Sequence, residues 1–287
     1  MIRKIKIILE MIKFEHTVFA LPFAFLGAVL GSLLINGTWP TALQWVWITL
    51  AMVGARSAAM ALNRVIDAKI DEINPRTKDR AIPAGLISKF ESTIFIIVSF
   101  ALLFYSAYQL NMLAVYLLPV AVFFLVIYSY TKRFTWACHL VLGITIGIAP
   151  LGGWVGATGT LTFAAFILFL GVALWTAGFD VIYATQDADY DKSVKLYSIP
   201  SYFGIAKALL IAKGIHILSF ISFFSLYFIT TLGWIYLIGV LISGVIMIYE
   251  HSLVKPNDLS KVNVAFFTMN GILAMVMLAF TIGDLML

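Results

Sequence analysis

Nine stretches of predominantly apolar residues follow one another along this chain, and each is long enough to cross a bilayer as a helix of about 20 residues. They fall at 16–35, 42–66, 91–110, 112–131, 136–156, 161–185, 203–229, 233–250 and 262–284. Four of the links between them are short and turn-like: Asn36-Gly37, Gln109-Leu110-Asn111, Gly156 to Gly159, and Thr231 to Gly233. Three are long, at 67–90, 186–202 and 251–261. No soluble domain or low-complexity tract interrupts the pattern. The expectation is an all-α membrane protein of nine transmembrane helices forming one domain over 1–287.

Composition agrees. The chain is 62% hydrophobic and 11% charged, against about 45–50% and 25% in soluble domains. Too little polar surface exists to coat a soluble globule. The net charge of +5 raises the question of nucleic-acid binding, but the positions of the charges answer it. All 19 Lys and Arg lie in the N-terminal segment, in the links after helices two, four, six and eight, or in helix parts near those links. The links after helices one, three, five and seven have none. This alternation predicts a cytoplasmic N-terminus and an external C-terminus. The reading is a multi-pass protein of a bacterial or archaeal cytoplasmic membrane, with no nucleic-acid partner; no protein partner is implied. The first segment carries Arg3, Lys4, Lys6 and Lys13 ahead of an apolar run without a cleavage site, which reads as a retained first helix rather than a signal peptide. Cys138, the single cysteine, excludes an internal disulfide framework and reads as a small hydrophobe.

Thirteen of the 14 acidic residues share the cytoplasmic side. The exception, Asp284, reads as a helix-end residue. The acids concentrate in two segments, after helix two and after helix six, a coarse echo of two related halves. The first reads NRVIDAKIDEINPRTKDRAIPAG from Asn63 to Gly85. Asn63, Asp67 and Asp71 recur every four residues and so share one helical face, which Arg56 and Met60 continue inward. Like charges at that spacing repel, so something positive must compensate them. Carboxylates with an amide are hard oxygen ligands suited to Mg²⁺, which often also takes substrate phosphates; the plainer alternative is a solvated helix end. Pro75 ends the helix. Arg76, Lys78 and Arg80 follow, and Arg presents a planar fork that matches phosphate oxygens. Lys69, Lys78, Arg64 and Lys89 read as ordinary positive-inside decoration.

The second segment reads DVIYATQDADYD from Asp180 to Asp191. Asp180, Tyr183, Asp187 and Asp191 recur at three or four residues, again as one face of a helix. Asp180 sits about two turns deeper than Asp187, near the end of an apolar span, where an ionisable group marks function by default. Asp189 lies off the face and reads as solvated. Gln186 either orients a ligand or caps a solvent edge. Lys132 and Arg133 follow helix four, with Tyr128 one turn earlier, and Glu15-His16 open helix one beside Phe14. These are further candidates for substrate contact, with positive-inside charge and an interfacial location as the plain alternatives. His139, His216 and His251 share no metal-like spacing and read as structural.

At these residues the chain resembles the UbiA family of intramembrane prenyltransferases. The first segment fits N-x-x-x-D-x-x-x-D followed by R-[ST]-x-x-R and a Gly, here Asn63, Asp67, Asp71, Arg76, Thr77, Arg80 and Gly85. It departs at Asn74, where many members carry Val or Met. The second segment resembles the family's D-x-x-Y-A-x-x-D-x-x-x-D. The runs from Lys13 to Ala24 and from Asn74 to Gly85 look like the 4-hydroxybenzoate polyprenyltransferase branch, with its relatives in menaquinone synthesis. The resemblance covers essentially the whole chain.

That resemblance implies a helical bundle around a central cavity open sideways to lipid. It implies transfer of a prenyl group from a polyprenyl diphosphate to an aromatic acid, with loss of diphosphate, in ubiquinone or menaquinone biosynthesis. Mg²⁺ would be held by Asn63, Asp67, Asp71, Asp187 and Asp191, with Arg76, Arg80, Lys132 and Arg133 on the diphosphate. Asp180 with Tyr183 would activate the phenol or take the ring proton, Asp71 also counting among the catalytic residues. Arg56 would hold an acceptor carboxylate or a phosphate, and Glu15 and His16 would line the acceptor pocket. Haem O synthase and chlorophyll synthase share these motifs, but Arg80-Ala81 differs from the Arg-Pro of the haem enzyme. CDP-alcohol phosphotransferases pair Asp residues in G-x-x-x-D-x-x-x-D, which lacks the Asn found here. The competing class is a cation-coupled transporter, against which stands the clustering of the acids at one face.

Overall fold

The computed structural model describes residues 2–12 and 17–287. The described residues form helices joined by turns, with one isolated bridge between Lys255 and Asp258. In chain order the helices are α1 Ile2–Met11, α2 Thr17–Asn36, α3 Ala42–Ile73, α4 Lys89–Leu110, α5 Met112–Thr131 and α6 Cys138–Thr158. They continue with α7 Phe163–Ala184, α8 Ala188–Ser193, α9 Ile199–Phe203, α10 Ile205–Ile229, α11 Trp234–Leu253 and α12 Asn270–Leu285. Among the described residues, 8 helices are long and apolar enough to cross a membrane. The apolar stretch of α2, Leu21–Asn36, is shorter. Many large apolar side chains face outward, among them Phe90, Tyr116 and Ile248, as an all-helical bundle in lipid requires, since only helices satisfy the backbone internally.

Local chemistry sets the helix ends. Thr41 and Gln44 form a capping box at the start of α3, as Ser88 and Glu91 do for α4. Asn111 caps α5 through Ala114 N–H and also donates to the Val155 carbonyl at 2.8 Å, fastening the α4–α5 turn to α6. Asp284, on α12, accepts from the backbone N–H groups of Gly233, Ile235 and Tyr236 at 2.5, 3.1 and 3.2 Å. It caps the first turn of α11 from outside, where the helix dipole favours a negative charge. The lone acid at the far face is therefore a helix-end residue, as the sequence suggested.

Two packing circuits share the α2–α6 contact. One runs α2, α6, α7, α10, α11, α12 and back to α2, and it is filled by a core of Phe23, Leu26, Trp154, Leu168, Phe223, Tyr236 and Leu273. The other runs through α2, α3, α4, α5 and α6. Small residues let the helices approach closely, as membrane interfaces favour: a Cβ on Gly27 would lie 2.0 Å from the Pro150 carbonyl oxygen, and one on Gly153 would lie 2.0 Å from that of Ala24.

A cavity of about 840 Å³ lies between the second circuit and α7, lined by α3, α4, α5, α6 and α7. On α3 its lining runs from Ile48 to Arg64, about 24 Å of helix axis at 1.5 Å per residue. Ile7, Glu10 and Met11 of α1 also line it, near Arg80 and Ala81 of the loop after α3.

Two helices differ from their sequence reading. α3 continues beyond 66 to Ile73 and ends before Pro75, so the Asn63–Asp67–Asp71 face belongs to one unbroken helix. In the last span a π turn, Val264–Met269, precedes α12. Asn270 satisfies carbonyls around it, donating to those of Ala265 and Phe266 at 3.1 and 2.9 Å.

Candidate active site

The face of α3 that carries the first acidic segment is buried at its end. Asp67 and Asp71 are 2% and 4% exposed, and at that depth a carboxylate needs a partner. Lys132 Nζ donates to Asp67 Oδ2 at 2.5 Å and Arg133 donates to Asp67 Oδ1 at 2.8 Å. Asn63 Nδ2 adds a third bond to Asp67, at 3.0 Å. Arg80 reaches both oxygens of Asp71, at 2.7 and 2.8 Å. The positive charge that the acidic face requires thus comes from the α5–α6 link and from the loop after α3.

That loop is shaped by the residue at which the chain departs from the family pattern. Asn74 Oδ1 accepts from Arg76 N–H at 2.9 Å, an Asx turn, and its carbonyl accepts from Thr77 and Lys78 N–H. Thr77 Oγ1 donates back to the Asp71 carbonyl at 3.1 Å. Gly85, at φ +69°, closes the loop in the left-handed region. The Asx turn sends Arg76 across to the second acidic segment, where its guanidinium forks onto Asp187, with Nε to Oδ1 at 2.8 Å. Burial works against the charged form of Arg76, but the hydrogen bond and the charge of Asp187 outweigh it and hold the guanidinium above its ordinary pKa.

The second segment is not one continuous helical face. α7 ends at Ala184, a 3₁₀ turn covers Thr185–Asp187, and α8 begins at Ala188. The change in residues per turn separates Asp180 and Tyr183, on α7, from Asp187 and Asp191. Asp189 is exposed, as expected, and Gln186 donates to the Tyr183 carbonyl at 3.2 Å, a local structural bond. Tyr190 Oη donates to the Ile70 carbonyl at 2.9 Å, and Tyr197 N–H donates to the Lys132 carbonyl at 2.7 Å. These bonds and the Arg76–Asp187 fork tie the three rim loops together.

The cavity meets this rim. Arg56, Arg64, Arg76, Arg80, Asp79, Asp180 and Tyr183 line its polar end. Asp67, Asp71, Asp187 and Asp191 are not among the lining residues; Asp71 and Asp187 hold Arg80 and Arg76, which are. Arg56 lies two turns in from Arg64, about 12 Å along α3. Below it the lining is apolar, with Leu103, Ala107, Ala114, Leu118 and Leu125. Opposite, Tyr183 packs its ring 4.1 Å from that of Phe266, which contacts Phe179 at 5.2 Å, so the π turn supplies an aromatic wall beside Asp180. Arg76 donates to Tyr183 Oη at 3.3 Å.

The donor set fits a divalent cation shared with a diphosphate rather than a closed protein site. Among the described residues no three acidic, His or Cys side chains converge. Mg²⁺ is ordinarily held by one or two carboxylates, with waters and substrate phosphates completing its shell. Asp67 and Asp71 on α3 and Asp187 and Asp191 across the rim supply carboxylates in pairs. Asp67, Asp71 and Asp187 are paired through long, flexible Lys or Arg side chains.

Two functional candidates were not visible as such in the sequence. Arg64, read as decoration, lines the cavity and donates to the Met11 carbonyl at 3.4 Å. His139, read as structural, hydrogen-bonds Asp180 through Nδ1 at 2.7 Å. No sequence spacing links residues 139 and 180. His216 and His251 pair with each other at 3.0 Å and do not line the cavity, in keeping with a structural role. Glu15 and His16 lie outside the described residues.

The family model for the UbiA prenyltransferase family matches residues 20–272. The 4-hydroxybenzoate octaprenyltransferase of Vibrio atlanticus is 29% identical over 233 residues, 77% of this chain and 78% of that protein. Among solved structures, the apo form of a UbiA homolog from Aeropyrum pernix superposes with a TM-score of 0.85 at 32% identity, covering 95% of this chain and 98% of the other. A UbiA homolog from Archaeoglobus fulgidus bound to GPP and Mg²⁺ shares the fold, with a TM-score of 0.78, 18% identity and coverage of 98% and 100%. A match over most of the length, on a helical bundle that encloses an apolar cavity beneath a charged rim, shows that the chain belongs to the UbiA prenyltransferase family.

Proposed function

We propose that this protein transfers a polyprenyl group from a polyprenyl diphosphate to an aromatic acid such as 4-hydroxybenzoate, releasing diphosphate, in ubiquinone or menaquinone biosynthesis. The observation that carries the reading is the cavity itself. It has arginines at its polar end, a long apolar shaft, and the carboxylate of Asp180 in its lining, besides those of Glu10 and Asp79. A prenyl tail fits the shaft and a diphosphate fits the rim, so the reacting carbon comes to lie beside Asp180. A relative named 4-hydroxybenzoate octaprenyltransferase supports the acceptor class, and the GPP- and Mg²⁺-bound homolog supports the donor and the metal.

Asn63, Asp67, Asp71, Asp187 and Asp191 would hold Mg²⁺. Bound there, the metal supplies Lewis-acid neutralisation of the charge that builds on the leaving diphosphate. Arg76, Arg80, Lys132 and Arg133 give charge-assisted hydrogen bonds to the phosphate oxygens once they turn from their carboxylate partners. The C–O bond to diphosphate breaks with its electron pair going to oxygen. The apolar wall keeps water from the allylic cation. The electron-rich ring carbon then forms the new C–C bond, and the proton it loses passes to Asp180, with Tyr183 at its side. Arg56, deeper on α3, meets the acceptor carboxylate or a phosphate; Glu15 and His16 are further candidates for the acceptor pocket. One domain over 1–287 carries all of this, with the rim in the cytoplasm and nine spans in a bacterial or archaeal cytoplasmic membrane.

The direct test incubates membranes containing the protein with Mg²⁺, geranyl diphosphate and a panel of aromatic acids, with products read by mass spectrometry. A prenylated aromatic acid is expected. Cation uptake into vesicles with no prenylated product from any acid would put the transporter reading in its place.

A further inference from the structure

We propose that His139 is a positioning residue for Asp180, fixing the carboxylate at the mouth of the shaft; this rests on the reading of Asp180 as the proton acceptor. His139 has a hydrogen-bond partner at each ring nitrogen, and the partners fix its tautomer. Its Nε2 lies 3.2 Å from the backbone N–H of Ile199. A backbone amide only donates, so Nε2 offers its lone pair, and the ring proton of the neutral imidazole sits on Nδ1. That proton points at Asp180 Oδ2, 2.7 Å away.

The anchor at the other end is rigid. Ile199 is 1% exposed and begins α9, whose first turn is closed by the Ser198–Ser201 capping box. His139 itself is 3% exposed and is the second residue of α6. The chain of contacts therefore runs from the backbone of α9, through a buried imidazole on α6, to a carboxylate on α7. His139 thus links α9 to one oxygen of Asp180 on α7, while Asp180 itself lines the cavity.

The geometry separates this role from two others. His139 is not among the cavity-lining residues and both ring nitrogens are engaged, so it does not act as the base itself. Its hydrogen bond holds one oxygen of the carboxylate and leaves the other for a proton. A carboxylate tied at one oxygen keeps a fixed direction for the other, and general-base efficiency depends on that direction.

The test uses the full chain in proteoliposomes, with donor affinity measured beside single-turnover transfer at saturating donor and acceptor. His139→Leu removes the bond. His139→Asn keeps an N–H near the place of Nδ1, whereas His139→Gln carries its amide out to the place of Nε2. Asp180→Asn is expected to lose at least roughly a hundredfold in transfer. His139→Leu and His139→Gln should slow transfer by no more than that with donor affinity unchanged, and His139→Asn should recover most of the rate. Asp180→Asn combined with His139→Leu should be no slower than Asp180→Asn alone, because His139 acts only through that carboxylate. A further independent loss in the double variant overturns the inference, as does equal loss in His139→Asn and His139→Gln. Should His139→Leu fail to fold, the Asn and Gln pair decides. Normal transfer by Asp180→Asn would refute the base assignment itself, whereas wild-type transfer by His139→Gln beside a slow Asp180→Asn would refute only the positioning role.

Discussion

Arg76 and Asp187 stand 111 residues apart in the chain, yet the guanidinium of one grips both carboxylate oxygens of the other, with Nε to Oδ1 at 2.8 Å. The fork joins the loop after α3 to the turn after α7, the two segments that carry the acidic motifs. It also sets a competition, because a guanidinium occupied by Asp187 is the same group that would bind a diphosphate. Both side chains keep contact with solvent, at 35% and 20% exposure. A diphosphate, which carries more charge than one carboxylate, is the anion that would displace Asp187 from the fork.

From this exchange comes the first prediction. Arg76→Lys keeps the charge but loses the two-pronged geometry, and the affinity for prenyl diphosphate should fall by roughly tenfold, the loss of a charge-assisted bond of about 1.4 kcal/mol or more. Asp187→Asn should also weaken donor binding, since it removes a carboxylate from the metal side. Titration calorimetry with geranyl diphosphate and Mg²⁺ measures both. Tighter donor binding by Asp187→Asn would mean that the fork only inhibits, and would take Asp187 out of the ligand set.

Activity should vanish on chelation and return with Mg²⁺. Asp67→Asn and Asp191→Asn should each lose at least roughly a hundredfold in turnover, since Lewis-acid stabilisation is worth several kcal/mol. Because Lys132 and Arg133 both bond Asp67, this variant also leaves two cations without their carboxylate, so a folded-state control by thermal melt accompanies the assay. Undiminished turnover by both variants in excess chelator would exclude the metal.

The helix interfaces give a stability prediction. A Cβ added at Gly27 meets the backbone of Pro150, with 2.0 Å to its carbonyl oxygen, and backbone does not move aside as a side-chain tip does. Gly27→Ala should therefore destabilise by about 1–3 kcal/mol through overpacking and lower the melting temperature in detergent. Gly214, also within a helix, has nothing within 4 Å of its added Cβ, so Gly214→Ala should leave the melt unchanged or raise it slightly, as helix propensity dictates. Equal melts for the two variants would mean that α2 and α6 are not packed as described.

Much of this was legible because it is local. The apolar stretches, the four-residue spacing of Asn63, Asp67 and Asp71, and the break at Pro75 are each written within a few neighbouring residues. The partners of the acids were not. Lys132 and Arg133 reach Asp67 from another helix pair, and nothing in their own neighbourhood distinguishes them from positive-inside charge. His139 was illegible for the same reason: a lone His in an apolar run looks structural until the fold brings it to Asp180. The break of the second motif at Thr185–Asp187 was hidden because no Pro or Gly in DVIYATQDADYD marks a helix break.

The charge alternation along the sequence makes a prediction about orientation: the positive-inside bias would place the Lys- and Arg-bearing links, and with them the rim, in the cytoplasm. A reporter fused after Leu287 should be external, and one inserted at exposed Lys195 should be cytoplasmic. A cytoplasmic signal from the C-terminal fusion would sink both the orientation and the odd number of spans.

The depth of the shaft should set the length of the prenyl chain. Its lining reaches Ala114 at the start of α5 and Leu110 at the end of α4, the ends of those helices opposite the rim that holds Lys132 and Glu91. A long tail would have to pass Ala114, whereas a geranyl tail near Asp180 and Arg56 would not. Ala114→Phe places a ring in that passage without touching a rim residue, so the loss should fall on long donors alone. Discrimination by steric exclusion from an apolar pocket is worth about 1–3 kcal/mol per step of size, which corresponds to at least roughly a tenfold shift in the ratio of kcat/KM for octaprenyl over geranyl diphosphate. Ala121→Phe, two turns nearer the rim on the same helix and also in the lining, should tighten the limit further. The ratio is read from competition between the two donors in one assay, which cancels differences in active fraction. An unchanged ratio in both variants would show that the tail leaves sideways into lipid before it reaches Ala114, and that the lower shaft does not measure it.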